Sequence, residues 1–307
     1  MYDVIVIGAG PAGLNSALYA LRSGKTVLII EANAVGGQIA NSPKVENFPT
    51  IKEISGSEFA DKFLEQVEGW GGELEYDRVT KVEKIDNIFK VTTEYGEFES
   101  KAVIAAVGVE HKHINVPGES ELLGKGVYYC ALCDGPFYAG KEVALIGDGN
   151  TAMQYALVLS NICSKVYLLT WMDKFFGDKV LEKTVREREN IVHMPETSVT
   201  AFNGSGKLES ISYTHKLSGE SRELHVPAVF VAIGQVPANG IFKQFANLDN
   251  NGYFIQNGDM STKTPGFFVA GDACIKGVRQ LATAISDGAV AAVSACTYID
   301  SMENLNK

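Results

Sequence analysis

Two glycine-rich turns, each set between a short apolar strand and a helical stretch, leave this chain few folds to choose from. The strand Val4–Ile7, the turn Gly8, Gly10 and Gly13 in GAGPAG, the apolar-periodic stretch Leu14–Leu21 and the strand Thr26–Ile30 make one strand–helix–strand unit. Glu142–Ile146, the turn Gly147, Gly149 and Ala152, a helical stretch to Leu159 and the strand Val166–Leu169 repeat it. Two such units in 307 residues, 46% of them hydrophobic, can bury two cores. They predict an α/β chain of two Rossmann-like, three-layer dinucleotide-binding domains.

Glycine and proline cluster near Lys112–Pro117 and Val236–Gly240, at the ends of the apolar runs Ala102–Val107 and Ala228–Ile233. Phe267–Asp272 reads as a buried strand ending in a polar turn, and Leu281–Tyr298 as a buried helix; both return to the first domain. The expected organisation is therefore 1–112 and 241–307 as a first domain, with 113–240 inserted as the second.

A net charge of −10 argues against nucleic acid or an anionic membrane surface as partner, leaving small molecules and proteins. The first strand begins almost at Met1, so no signal segment is expected, and no uninterrupted apolar run approaches a membrane span. A cytoplasmic protein is the expectation. Five cysteines without regular spacing read as one working pair, Cys130 and Cys133, plus three buried thiols, Cys163, Cys274 and Cys296.

In the first turn the glycines let the backbone approach a pyrophosphate at a helix N-terminus, where unpaired amides favour negative charge. Glu31 follows Gly13 by eighteen positions, at the end of the next strand, where a carboxylate accepts hydrogen bonds from a ribose diol. Gly271 and Asp272 close the late strand in FVAGDA, and an Asp there could hold a ribitol hydroxyl, which points to FAD rather than NAD.

Cys130-Ala131-Leu132-Cys133-Asp134 lies between the two turns. A CxxC pair closes a small disulfide ring whose thiolate is the nucleophile, and Asp134 is a candidate proton donor to a departing thiolate. A zinc half-site would need further ligands. His111 and His113 do not complete a tetrahedral set, so no metal is expected.

The second turn keeps the spacing of the first and lacks its ligands. Eighteen positions after Ala152 comes Thr170, followed by Trp171 and Met172, where NAD would want a carboxylate and NADP would want arginines. Asp148 also stands within the turn, where pyrophosphate oxygens would come. Asp173 could reach a ribose after a shift in register, which keeps an NADH site as the alternative. Trp171, Phe175 and Phe176 read as core filling, with a partner-facing apolar patch as the alternative.

With these motifs in view the chain resembles the low-molecular-weight thioredoxin reductases over nearly its whole length: GAGPAG at Gly8, GGQI at Gly36, ENFP at Glu46, CALCDGPFY at Cys130, GDGNTA at Gly147, FVAGDA at Phe268 and RQLATAISDGAVAA at Arg279. The resemblance implies FAD contacts at Gly8, Gly10, Pro11, Ala12, Gly13, Glu31, Gly37, Gln38, Asn47, Val79, Gly271, Asp272, Arg279, Gln280 and Ala282. It also implies that Cys133 faces the flavin, that Cys130 attacks the disulfide of thioredoxin, and that Asp134 assists as acid. A homodimer with a rotating second domain is implied as well.

Family members that use NADPH carry HRRxxxR where this chain runs TWMDKFF from Thr170 to Phe176, and commonly His where Gln235 stands. That combination is similar to the ferredoxin-dependent flavin thioredoxin reductases. Plant-type ferredoxins lie near about −400 mV and thioredoxin near about −270 mV, so the two-electron transfer runs downhill by roughly 6 kcal/mol. A flavin would reconcile one-electron delivery with two-electron disulfide reduction. A pyridine-nucleotide-dependent reductase with an atypical site and a dithiol oxidase that uses oxygen are the alternatives. Ferredoxins are usually acidic, so docking on this acidic chain would require a local basic patch.

Overall fold

A computed structural model of the chain describes residues 1–42 and 44–305. It divides into two units, Met1–Glu110 with Val236–Lys307, and His111–Gln235. The second is a continuous stretch set into the first. Its edges fall slightly ahead of the positions 112/113 and 240/241 at which glycine and proline cluster.

In the first unit β1 (Tyr2–Ile7) runs parallel to β2 (Val27–Glu31), and β3 (Glu73–Tyr76) lies beyond β2. β4 (Val79–Ile85), β5 (Ile88–Thr93) and β6 (Glu97–Ala105) form an antiparallel meander, and β6 also pairs in parallel with β1. β6 serves two partners on its other edge: Glu97–Ser100 takes β5, and Val103–Ala105 takes the late strand Phe267–Val269.

Alternate residues of β1 go to opposite cores. Val4 and Val6 face α1 (Pro11–Arg22), α2 (Gly56–Glu68) and the C-terminal helix Leu281–Leu305, whereas Ile5 and Ile7 face Val82, Phe89, Val91 and Phe245. A strand covered on both faces needs no polar side, which explains the unbroken run VIVI. α2 is capped by Ser55, whose Oγ accepts from the Glu58 amide at 3.1 Å. Phe59, Phe63 and Val67, four residues apart, give it one apolar face.

The C-terminal helix lies directly on α1. A Cβ on Gly288 would stand 2.2 Å from the Ala12 carbonyl oxygen, so only glycine permits this approach. Asn15 Nδ2 donates to the Ile285 carbonyl at 2.8 Å, and Lys25 and Lys101 pair with Asp300 and Glu303. By length and composition Leu281–Asn304 is apolar enough to cross a membrane. Ser286 and Asp287 interrupt its apolar run. In the fold Ala291, Ala292, Ala295 and Ile299 are buried in the core of this unit.

The second unit holds α3 (Ala131–Asp134), α4 (Asn150–Ile162) and α5 (Lys179–Arg186). Its parallel sheet has the order Ile191–Met194, Lys165–Leu169, Glu142–Ile146, Val229–Val231, Val127–Tyr128. Val143, Leu145, Val166 and Leu168 lie under Met153, Ala156 and Leu159 of α4. Ala144, Ile146, Leu169 and Val229 lie against Val199, Phe202 and Ile211 of the antiparallel strands Thr197–Asn203, Ser210–His215 and Ser221–Leu224. Each unit is thus three layers deep, as the two turns predict. Cys163, Cys274 and Cys296 are buried thiols.

Candidate active site

The first glycine turn assigns a different task to each glycine. Gly8, at φ 103°, lies so close to the end of β6 that a Cβ would meet the Ala106 carbonyl oxygen at 2.5 Å. A Cβ on Gly13 would stand 1.8 Å from the Gly8 carbonyl oxygen, so the helix start packs directly on the turn. Gly10 has nothing within 4 Å of that position, which leaves its backbone open to a ligand. Pro11 occupies the first position of α1, where a missing N–H costs nothing, and no side chain caps the amides that follow.

Other residues of the expected set surround this turn. Glu31 is buried, with Oε2 accepting from the Ala9 amide at 2.7 Å and Oε1 from the Asn33 amide at 2.8 Å, so its carboxylate is fixed over the glycines. Gly36 donates its amide to the Ala9 carbonyl at 2.9 Å, and Gly37, at φ 55°, comes close to Gly10. A Cβ on Gly271 would stand 2.8 Å from that of Ala12. Asn47 Nδ2 donates to Gln280 Oε1 at 3.0 Å, joining two of the implied contacts, and Gln38 Nε2 donates to the Val109 carbonyl. Ala282 is exposed on the first turn of the C-terminal helix. Val79 opens β4, three strands from β1.

Asp272 carries a buried Oδ1 with no hydrogen-bond partner among the described residues. Burial holds its carboxyl above the usual range, against the pull of Lys276 and Arg279. Arg279 spends its guanidinium on the Asp272, Cys274 and Lys276 carbonyls and lies 4.4 Å over the ring of Tyr253, closing the loop after the late strand. Lys276 and Asp287, which no motif reading singled out, form an ion pair beside Asp272. A dinucleotide fits these residues: an uncapped helix N-terminus, an open glycine and a buried carboxylate oxygen without a donor.

In the second unit Cys130 and Cys133 are joined in a disulfide with Cα atoms 5.3 Å apart, at the start of α3. Cys130 is the N-cap, and its Sγ accepts from the Cys133 amide at 3.1 Å. Asp134 is buried, one oxygen lacks a partner among the described residues, and burial pushes its carboxyl up to about 7. A carboxyl that still holds a proton near neutrality can deliver it to a thiolate. Tyr128 and Tyr138 are bonded through their hydroxyls at 3.0 Å; burial raises both their pKa values, and the nearby Asp134 carboxylate adds to the rise.

His111 and His113 have other work. Tyr129 donates to Glu119 Oε1 at 2.6 Å, so His113 Nδ1, also at 2.6 Å, must carry the proton toward the Tyr129 oxygen. His111 stacks on Tyr129 with ring centroids 4.7 Å apart, and burial lowers its pKa to about 4.

The second glycine turn repeats the first in backbone and differs in surroundings. Gly147, at φ 145°, is pressed against Ala232, as Gly8 is against Ala106. The amide of Phe176 donates to the Asp148 carbonyl at 2.8 Å, and Asp178 donates its amide to Asn150 Oδ1 at 2.8 Å. The segment after Leu169 therefore borders the turn with its main chain. Thr170 is fully buried and its Oγ1 donates to the Met172 carbonyl at 2.7 Å, so it presents nothing to a ribose.

The expected core role holds for Phe175, which is buried and stacked on His193 at 4.7 Å. It fails for Trp171 and Phe176, which are 56% and 53% exposed. They belong to the turn beyond the sheet edge, where only Phe175 points back toward α5. Lys216 Nζ lies 3.9 Å over the Trp171 ring and Lys174 Nζ lies 5.5 Å over that of Phe176.

A model of the pyridine nucleotide-disulphide oxidoreductase family matches residues 2–288. The chain is similar to the thioredoxin reductase of Treponema pallidum (strain Nichols), 40% identical over 304 residues and 99% of each chain. It is similar to that of Bacillus subtilis (strain 168), 36% identical over 100% of this chain and 98% of the other. Among solved structures, a thioredoxin reductase from Streptococcus pyogenes MGAS5005 superposes with a TM-score of 0.94 at 34% identity, covering 98% of this chain and 99% of that one.

Proposed function

Because this chain belongs to the pyridine nucleotide-disulphide oxidoreductases and, within them, to the thioredoxin reductases, we propose that it reduces thioredoxin with electrons taken from reduced ferredoxin. FAD is the cofactor. When bound, it supplies the step between a one-electron donor and a two-electron acceptor. The uncapped amides of α1, with Gly8, Gly10 and Gly13, would hold its pyrophosphate; Glu31 would take a ribose and Asp272 a ribitol hydroxyl. Gly37, Gln38, Asn47, Val79, Arg279, Gln280 and Ala282 complete the proposed lining. The working form is a cytoplasmic homodimer.

The protein's own part is sulfur and proton chemistry. Two electrons and two protons convert the Cys130–Cys133 disulfide to a dithiol: the S–S bond breaks, and each sulfur ends with a proton or as a thiolate. Cys133 is assigned to the flavin side. Cys130 attacks the disulfide of thioredoxin, breaking that S–S bond and forming a mixed disulfide, and Asp134 gives its proton to the departing thiolate. Cys133 then returns a proton to Asp134 and displaces the second thioredoxin sulfur, so that the Cys130–Cys133 bond re-forms.

The observation that carries the donor assignment is the segment Thr170–Phe176. A pyridine nucleotide carrying a 2′-phosphate needs guanidinium or ammonium groups there. At the motif's basic positions this chain offers a buried threonine and exposed Trp171, Met172 and Phe176, with a carboxylate at Asp148 within the turn. The ammonium groups that are near, Lys174 and Lys216, lie over the rings of Phe176 and Trp171.

Anaerobic titration of the flavoprotein tests the reading. Reduced ferredoxin should bleach the flavin absorbance and support thioredoxin reduction, while NADPH and NADH should leave the spectrum unchanged over minutes. Rapid bleaching by NADPH would assign the donor to the nucleotide instead. Peroxide release with a small dithiol substrate would favour an oxidase.

A further inference from the structure

Lys276 lies in the loop between the turn at Gly271–Ala273 and the C-terminal helix, with its side chain only 12% exposed. An ammonium so far from water needs carboxylate partners. Asp287, 13% exposed and on the C-terminal helix, supplies one in direct ion pairing, and Asp272 Oδ1 supplies the second at 3.8 Å. Asp287 Oδ2 is anchored in turn by the Gly271 amide at 3.2 Å. Arg279 holds the backbone of the same loop through its carbonyls, and Cys274, whose thiol burial pushes up to about 12, stays neutral among them.

Two carboxylates therefore face one ammonium in a buried pocket. Without the ammonium nothing offsets the repulsion between the two carboxylates, which favours a proton on one of them. Asp272 is the group that burial already pushes upward. Its Oδ1 then no longer serves as a free acceptor.

We propose that Lys276, braced by Asp287, is a positioning residue for FAD: it keeps Asp272 a carboxylate and holds Oδ1 inward as acceptor for a ribitol hydroxyl. The inference rests on Asp272 being an FAD contact. Among the described residues, the ammonium of Lys276 forms its ion pairs with these two acids.

The test is FAD affinity of apoprotein, read from the quenching of flavin fluorescence on reconstitution. Asp272→Asn should weaken binding by about tenfold or more, and Lys276→Met by about tenfold. The double variant should bind no more weakly than Asp272→Asn alone, because both changes disable one acceptor. Lys276→Arg should restore most of the affinity. Lys276→Met should also lose affinity further as the pH is lowered, because Asp272 then gains a proton, while the unaltered protein stays level. Should Lys276→Met unfold, Lys276→Met with Asp287→Asn removes the ion pair as a unit, and this folded variant should still bind FAD more weakly. Additive losses in the double variant, or unaltered affinity in either lysine variant, overturn the proposal. An Asp272→Asn protein with full affinity instead overturns the assignment of Asp272 on which it rests.

Discussion

The Phe176 amide donates to the Asp148 carbonyl at 2.8 Å, tying the segment after the second strand of the inserted unit to the glycine turn through main chain alone. Side chains in that segment can change without moving its path. Replacing Trp171, Met172 and Phe176 by arginine should thus leave the melting temperature within a degree or two and create affinity for a 2′-phosphate. Calorimetric titration with 2′,5′-ADP checks this, with a gain of about tenfold or more expected from charge-assisted hydrogen bonds. No gain in the folded variant would move the obstacle to Asp148.

Asp134 predicts a pH dependence of both activity and stability. Its carboxyl sits at about 7 in the folded chain, against about 3.9 for an unfolded one. Below pH 4 the acid is protonated in both states and costs nothing. Between pH 4 and 7 the unfolded chain releases its proton first, so the fold loses stability, reaching a few kcal/mol at most. Asp134→Asn should therefore raise the melting temperature at pH 8 and not at pH 3.5, while slowing thioredoxin reduction by about 10²- to 10⁴-fold.

Gly10 and Gly13 separate cofactor binding from folding. Gly13→Ala drives a methyl group to 1.8 Å from the Gly8 carbonyl oxygen and should cost more than about 3 kcal/mol, seen as a lowered melting temperature of the apoprotein. Gly10→Ala meets no protein atom and should melt normally. It should nevertheless retain less flavin through gel filtration, because its methyl group stands where the ligand must approach.

Cys130→Ser should abolish thioredoxin turnover and leave the flavin spectrum and FAD content intact, since the dithiol and the glycine cradle belong to different units. Turnover by this variant would remove the disulfide from the mechanism.

Tyr129→Phe removes the hydroxyl that joins Glu119 to His113. The buried Glu119 carboxylate then keeps the Ile114 and Asn115 amides and loses its hydroxyl donor, and a loss of about 1 kcal/mol in denaturant unfolding is expected.

What could be read from the sequence was whatever the backbone dictates locally. Gly8, Gly10 and Gly13 are required by turn and packing geometry within six residues, and Cys130 with Cys133 by a ring of fixed size. Trp171 and Phe176 defeated the reading, while Phe175 fits it, because a turn has no period by which to separate an inward side chain from an outward one. Lys276 with Asp287, Tyr128 with Tyr138, and Tyr129 with Glu119 and His113 stayed hidden for another reason. Their partners stand ten or more positions apart, and only packing brings them together. A faint signal existed for Asp287, a lone acid inside an otherwise apolar helical stretch.

The helix that closes on α1 through Gly288 and Asn15 is synthesised after the whole inserted unit, and the strand that completes the edge of β6 precedes it only slightly. On the ribosome the inserted unit, one uninterrupted stretch, can therefore collapse while the first is still missing its final layer. Capture of the prosthetic group must wait for that final layer. A stop introduced just ahead of Leu281 should then yield a colourless protein whose disulfide module is nonetheless formed.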